Sequence, residues 1–346
     1  MVGAAGGVTS ARGADSVGAM RRVFVTGGSG FVGRNLLEAL YRRRVPTVAL
    51  ARSDAAAAAC AGRGAQVVRG ELGDVASLAA GMIGCDVVIH AAAHVLEWDR
   101  PAVYEQVNVV GTANVLAAAR QARVGRVVHV GTEAALIGGG PIVQVDETRP
   151  LPEHPLPGYP ASKAAAERLV RAASDLHTVV VRPRLVWGVG DTSVLPQMVG
   201  AVRAGRFRWI SGGRYLTSTC HVDNVVEGTL LAAERGRKGE VYFLTDGAPV
   251  ELRGFVRELL ATQGIDAGEG SVPRAVAWAV AVSGEAAARA SGYRIRPPLT
   301  RLSLKVLGEE VTVIDSKARA ELGYTAATGH ERGLMAMRDA LERTVG

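Results

Sequence analysis

Cysteine is scarce in this chain. Cys60, Cys85 and Cys220 are spread over 346 residues, odd in number and without a CxxC pair. That count argues against a disulfide framework and against a zinc site, and a reducing cytoplasm is the compartment it implies. His94 and His129 lack partners at metal-ligand spacing, so no metal is expected. Aromatic residues make up only 5% of the chain, whereas glycine alone occurs 43 times. No basic block is long enough for a nucleic-acid arm; the longest, Arg42-Arg43-Arg44, reads as a solvated helix end. The formal charge of +7 suits an anionic ligand, or simply reflects a composition in which arginine outnumbers lysine. No run of about 18 apolar residues marks a membrane span. The nearest, Val272 to Ala290, is interrupted by Arg274, Glu285 and Arg289 and predicts an amphipathic helix. Residues 1–20 lack the apolar stretch of a signal peptide. They are expected to be a disordered tail, or the product of an upstream start codon, with order beginning after Met20.

What is present, at 48% hydrophobic residues, is ample for a large core. Short apolar runs alternate with helical patterns. Strands are expected at Val23–Thr26, Thr47–Ala51, Gln66–Arg69, Val87–Ala91, Val127–Val130 and Val179–Arg182. A helix follows the first strand to about Arg43, another runs from Pro101 to Ala122, and another starts at Pro160. This alternation predicts an α/β fold, a doubly wound parallel sheet of Rossmann type. The rhythm loosens after about Gly188. Helices near Val194–Ala204, Leu252–Gln263 and Asp315–Leu322, the segment His221–Arg235 and a strand at Glu240–Leu244 are read as a smaller substrate-binding region. The expected division is therefore a dinucleotide-binding domain at 21–187 and a substrate region at 188–346, whose chain returns to the sheet.

Two motifs carry chemistry. The first is Gly158-Tyr159-Pro160-Ala161-Ser162-Lys163. Proline is favoured at the first helical position, which puts Tyr159 at the helix entrance and Lys163 one turn later on the same face. An ammonium near a phenol lowers its pKa and suits it to pass a proton near neutral pH. The second is Thr26-Gly27-Gly28-Ser29-Gly30-Phe31-Val32-Gly33, between the first strand and the first helix. Gly27 permits the tight turn, Gly30 close approach to a pyrophosphate, and Gly33 helix–strand packing. The helix N-terminus adds free N–H groups and a positive dipole. In this strand–turn–helix context the pattern predicts a dinucleotide site. Arg52 stands at the end of the second strand, where an acid would hold the ribose of NAD. An arginine there suits a 2′-phosphate, so NADP(H) is favoured and NAD(H) is the alternative, with Asp54 as its candidate acid.

With TGGSGFVG, HAAA, Asn108, YPASK and HVDN in one order, the chain resembles the extended short-chain dehydrogenase/reductases from about Arg21 to its C-terminus. Within them it is most similar to the 3β-hydroxysteroid dehydrogenase-like and NAD(P)-dependent epimerase/dehydratase branch. The resemblance implies that Gly27, Gly30 and Gly33 cradle the pyrophosphate, with N–H groups from Phe31 and Val32. It places Glu71 and Leu72 beside the adenine, although an aspartate is usual there, and has Ala91, Ala92 and Ala93 line the cofactor. It makes Asn108 a brace of the active-site helix, Tyr159 the general acid/base and Lys163 the ligand of the nicotinamide ribose. Pro183 and Leu185 would border the nicotinamide. Helices Pro101–Ala122 and Pro160–Ala173 would form a homodimer interface.

One position departs from the family pattern. Counting back from Gly138, the usual catalytic Ser or Thr falls on Glu133, with Thr132 one residue earlier. Either Thr132 is the hydroxyl donor after a register shift, which is favoured because it needs no pKa shift, or Glu133 fills the slot as a protonated donor or an extra base. His90 is expected to be a packed core residue and Asp223 a helix N-cap. Trp187, Trp209, Tyr215 and Trp278 fall where substrate is expected, with ordinary packing as the competing account. The leading expectation is an NADP(H)-dependent ketone reductase or secondary alcohol dehydrogenase acting on a bulky, apolar or sterol-like substrate. One rival is a nucleotide-sugar epimerase or dehydratase holding NAD, with Arg203, Arg206 and Arg214 as candidates for the diphosphate. The other is a non-catalytic dinucleotide sensor.

Overall fold

A computed structural model describes residues 20–345. The expected tail therefore lies outside the described residues, except for Met20, which is buried in the main core. Seven parallel strands form the central sheet. Their order across it is Val241–Leu244, Thr178–Pro183, Arg126–Val130, Val87–His90, Val23–Thr26, Thr47–Ala51 and Gln66–Arg69. Strands buried on both faces read as continuous apolar runs; VFVT, VVIH and TVVVRP are buried along their whole length. Leu36, Leu37, Val225 and Leu230 pack on one face, Val115, Leu116, Leu78 and Val170 on the other. The strand order reverses at Val23–Thr26, and ligands of such sheets bind at the carboxyl ends of the strands beside that reversal.

Three elements differ from expectation. The strand Val241–Leu244 belongs to the central sheet, paired in parallel with Thr178–Pro183, and not to the smaller region. The expected helix Pro101–Ala122 is an α-turn at Pro101–Tyr104, a π-turn at Glu105–Val110 and an α-helix at Gly111–Gln121. The helix Val222–Arg235 is capped by the His221 side chain, which accepts from the N–H of Asp223 at 3.2 Å; Asp223 itself is not the cap. Beyond the sheet, the strands Val250–Glu251, Leu216–Thr217, Val311–Val313 and Ile142–Val145 form a small second sheet. The helix Arg274–Ala290 lies in the same later part of the chain, as the amphipathic pattern predicts.

The side chain of Asp246, 2% exposed, joins these parts. It accepts hydrogen bonds from Trp187 Nε1 (2.8 Å), Thr219 Oγ1 (2.7 Å), the His221 N–H (2.6 Å) and Asn224 Nδ2 (2.6 Å). Asn224 also bonds Thr328 in both directions. Trp187 and Trp209 are thus buried packing residues, and Trp278 is exposed.

Candidate active site

The glycine turn is built for close approach. Gly27 has φ +74°, and a Cβ on it would lie 2.6 Å from the N atom of Ala92. A Cβ on Gly33 would lie 2.0 Å from the Gly27 carbonyl oxygen. Both positions therefore demand glycine. The Gly30 N–H donates to the Gly27 carbonyl at 2.9 Å. The helix Phe31–Arg42 starts at Gly30 with no side chain capping its first turn. Its first N–H groups, those of Phe31 and Val32 among them, are of the kind that bind phosphate at a helix N-terminus. The turn thus fits a dinucleotide pyrophosphate.

The neighbouring strand ends are locked together. Thr26 Oγ1 lies 2.7 Å from His90 Nδ1 and accepts from the Ala92 N–H at 3.3 Å. His90 Nε2 lies 3.0 Å from Thr112 Oγ1. Burial, reinforced by the Lys163 charge, pushes the His90 pKa down to about 3, so the ring is a neutral hydrogen-bonding strut. Ala91, Ala92 and Ala93 continue this strand, half-buried. Arg52 is exposed just past the strand Thr47–Ala51, and no carboxylate pairs with it among the described residues. Asp54 is instead paired with Arg69 at 2.6 Å. Glu71 is exposed and Leu72 half-buried, its carbonyl accepting from Asn114 Nδ2 at 2.8 Å. Pro183 closes its strand, and Leu185 follows with φ +42°.

The helix Tyr159–Ala172 starts one residue earlier than proline at its first position requires, with Gly158 as N-cap at φ +91° and Tyr159 as first helical residue. Asn108, in the π-turn, ties this helix to the sheet. Its Nδ2 donates to Ser162 Oγ (2.9 Å) and to the His94 carbonyl (3.0 Å), while its Oδ1 accepts from the His94 N–H (2.7 Å). A π-turn widens the helix by one residue, as is frequent at functional sites.

Around Tyr159 the electrostatics differ from expectation. Buried Lys163 donates to the Val130 carbonyl at 3.0 Å, and its Nζ lies 3.4 Å from His129 Nε2. Burial pulls its pKa down to about 8, against a raising contribution from Glu167. The Tyr159 phenol is raised above its ordinary pKa, not lowered. Burial is the main cause and the Glu133 carboxylate adds to it; a hydrogen bond with Thr132 acts the other way.

Thr132 and Glu133 act together. Both are buried, and Thr132 Oγ1 donates to Glu133 Oε2 at 2.8 Å. Glu133 Oε1 faces Arg184 Nη1 at 3.1 Å, and Arg184 Nη2 donates to Thr217 Oγ1 at 3.1 Å. Arg184 and Glu133 are 2% and 4% exposed, so each charge has the other as its counter-ion in a place water does not reach. Glu133 thus accepts from Thr132 on one oxygen and faces the Arg184 guanidinium with the other. Arg184 was not legible as a site residue. Its signal is a charge in the apolar stretch VRPRLVWG, matching another in GTEAAL. Beside Gly158 a cavity is lined by Trp98, Tyr104, Leu156, Tyr293 and Leu302, together with the charged side chains of Glu97, Asp99, Glu285 and Arg289. Trp98 stacks on Tyr293 with centroids 5.6 Å apart, and the Arg289 guanidinium sits 5.3 Å over Trp98. Arg203, Arg206 and Arg214 do not line it.

A wholly parallel sheet with a glycine turn at its switch point and a Tyr–Lys helix beside it defines a dinucleotide-dependent oxidoreductase of the extended short-chain dehydrogenase/reductase type. The chain belongs to the NAD dependent epimerase/dehydratase family, whose model matches residues 23–244. It is 55% identical over 321 residues to a 4-hydroxy-2-methyl-3-oxo-4-farnesyl-3,4-dihydroquinoline-1-oxide ketoreductase of Stigmatella aurantiaca, covering 92% of this chain and 96% of that one. It is 31% identical to a decarboxylating sterol-4-alpha-carboxylate 3-dehydrogenase of Dictyostelium discoideum, covering 91% and 99%. Among solved structures, gox2253 superposes with a TM-score of 0.76 at 28% identity, covering 94% of this chain and 99% of that one. The resemblance to the 3β-hydroxysteroid dehydrogenase-like branch is thus upheld.

Proposed function

We propose that the protein is an NADP(H)-dependent ketoreductase acting on a ketone of a bulky, largely apolar ring compound. The observation that carries this is the position of Tyr159, hydrogen-bonded to Thr132 and next to an aromatic-lined cavity. A 55% identical relative named as a ketoreductase of a farnesylated ring ketone supports the same substrate class. The absence of Arg203, Arg206 and Arg214 from the cavity lining disfavours a sugar diphosphate.

When bound, the nicotinamide supplies the hydride for the carbonyl carbon. The chain's own residues do the rest. Gly27, Gly30 and Gly33, with the Phe31 and Val32 N–H groups, hold the pyrophosphate, and Arg52 meets the 2′-phosphate. Tyr159, kept protonated by burial and by Glu133, donates its proton to the carbonyl oxygen as negative charge develops there. Lys163 carries positive charge below about pH 8, where it holds the ribose hydroxyls and offsets the phenolate left on Tyr159. Thr132 gives its proton to Glu133 and sits against the Tyr159 phenol, so it holds that side chain beside the Thr132–Glu133 pair. Glu133 and Arg184 are positioning residues. The helices Gly111–Gln121 and Tyr159–Ala172 are the surfaces we assign to a homodimer.

The test is fluorescence titration with NADPH and NADH, repeated with Arg52→Ala. Preferential NADPH binding that the substitution abolishes is expected. Tighter NADH binding, indifferent to the substitution, would overturn the Arg52 assignment and the NADP(H) preference.

A further inference from the structure

Two buried histidines stand side by side in the central sheet, and only one of them has both ring nitrogens paired. His90 on Val87–His90 and His129 on Arg126–Val130 are register partners, each 1% exposed, with ring centroids 5.2 Å apart. Thr112 Oγ1 gives its proton to the Asn108 carbonyl at 2.6 Å, so it accepts from His90 Nε2 at 3.0 Å. His90 Nδ1 then accepts from the Thr26 hydroxyl at 2.7 Å.

His129 is different. Its Nδ1 has no hydrogen-bond partner among the described residues, and its Nε2 lies 3.4 Å from Lys163 Nζ. An ammonium only donates, so Nε2 accepts and the single ring proton sits on Nδ1, where nothing receives it. Burial, with the charge of Lys163, keeps the imidazole neutral and its Nε2 lone pair free. An unpaired buried N–H destabilises a fold, and an apolar residue in the strand RVVHV would avoid it. What the imidazole supplies in return is a second acceptor for a buried ammonium.

Lys163 is 3% exposed and has three N–H groups to place. The Val130 carbonyl takes one at 3.0 Å and His129 Nε2 takes another. Both acceptors belong to adjacent residues of one strand, so together they set the direction of the third N–H. The other titratable groups around the ammonium are neutral His90 on the adjoining strand, and Tyr159 and Glu167 on its own helix. Glu167 already accepts from Arg182 at 2.9 Å and faces Arg171 at 3.8 Å. Glu133, which acts on the Tyr159 phenol, faces Arg184. Both carboxylates thus have arginine counter-ions of their own.

We propose that His129 is a positioning residue whose Nε2 is the second acceptor of Lys163, keeping the ammonium charged in the interior and turning its third N–H toward the cofactor ribose. Its part in turnover rests on the ketoreductase reading; the bond itself does not.

The experiment is NMR of the full-length protein without substrate. The chain has four lysines, Lys163, Lys238, Lys305 and Lys317, so carbon-13 labelling of lysine gives few signals and Lys163→Met identifies the one sought. Its titration is followed in the wild type, His129→Phe and His129→Gln, with thermal unfolding as the folding control. Phenylalanine fills the space without an acceptor, whereas glutamine offers a carbonyl oxygen in place of Nε2. A wild-type midpoint near 8 is expected. A midpoint lower by about one pH unit in His129→Phe, restored in His129→Gln, is expected with it. A His129→Phe protein that titrates with the wild type overturns the proposal, as does a His129→Gln protein that titrates with His129→Phe. Nitrogen-15 NMR of the wild-type histidines reads the tautomer itself. Near neutral pH a proton on Nδ1 and none on Nε2 of His129 is expected, and a proton on Nε2 overturns the proposal. Neither measurement needs turnover, so failure of the ketoreductase reading would leave both results standing.

Discussion

Replacing Glu133 by alanine removes the only counter-ion that a buried arginine has among the described residues. Arg184 is 2% exposed, and its Nε already lacks a hydrogen-bond partner, so the guanidinium cannot turn to solvent. Breaking one side of a buried pair costs about 3–5 kcal/mol, because the other charge is left uncompensated. With an unfolding entropy near 2.1 cal/mol/K per residue, a chain of 346 residues loses about 4–7 °C of Tm for that cost. Scanning calorimetry of Glu133→Ala measures it. Glu133→Ala/Arg184→Met is expected to recover most of the loss, since removing both charges removes the desolvation penalty with them. The same substitution acts on the chemistry, because Glu133 is one cause of the raised Tyr159 pKa. Without it the phenol ionises at lower pH. Ketone reduction needs the protonated phenol, so its alkaline decline moves to lower pH. An unchanged Tm for Glu133→Ala, together with an unchanged pH profile, would refute the pairing and the role built on it.

Other outcomes follow from the same geometry. Lys163 has its pKa lowered to about 8 from 10.5, so between those values the unfolded chain binds more protons and stability rises with pH. The wild type should therefore gain stability relative to Lys163→Met as pH is raised from about 8 to 10.5, by at most about 3 kcal/mol from the shift of the pKa; parallel Tm–pH curves would contradict this. Gly27→Ala must place a Cβ at φ +74° against the Ala92 backbone, and a cofactor affinity reduced by more than tenfold in fluorescence titration is expected. Asp246→Ala leaves four donors without their acceptor. It should cost several kcal/mol, read as a lower midpoint in urea.

Much of the fold was legible because its strands are buried on both faces and announce themselves as apolar runs. The glycine turn was legible too, since Gly27 and Gly33 have no sterically permitted substitute. The strand Val241–Leu244 was visible as a strand but not as a member of the sheet. Its partner Thr178–Pro183 lies more than fifty residues earlier, and periodicity carries no long-range pairing. The π-turn around Asn108 left no trace, because helical periodicity tolerates one extra residue. Tyr159 and Lys163 were placed correctly on one helix, yet their electrostatics were misjudged. The ammonium turns to the Val130 carbonyl, and the charge that acts on the phenol is that of Glu133. That carboxylate depends in turn on Arg184, which only the adjacency of the strands Arg126–Val130 and Thr178–Pro183 brings within reach.

The central claim is that Tyr159 protonates a ketone oxygen during NADPH-dependent reduction. The most direct measurement is oxidation of NADPH by purified protein with a panel of bulky ring ketones, comparing wild type with Tyr159→Phe at equal cofactor occupancy. Turnover by the wild type, and a fall of at least about 100-fold in the variant with cofactor binding intact, is predicted. Turnover by Tyr159→Phe at the wild-type rate would contradict it.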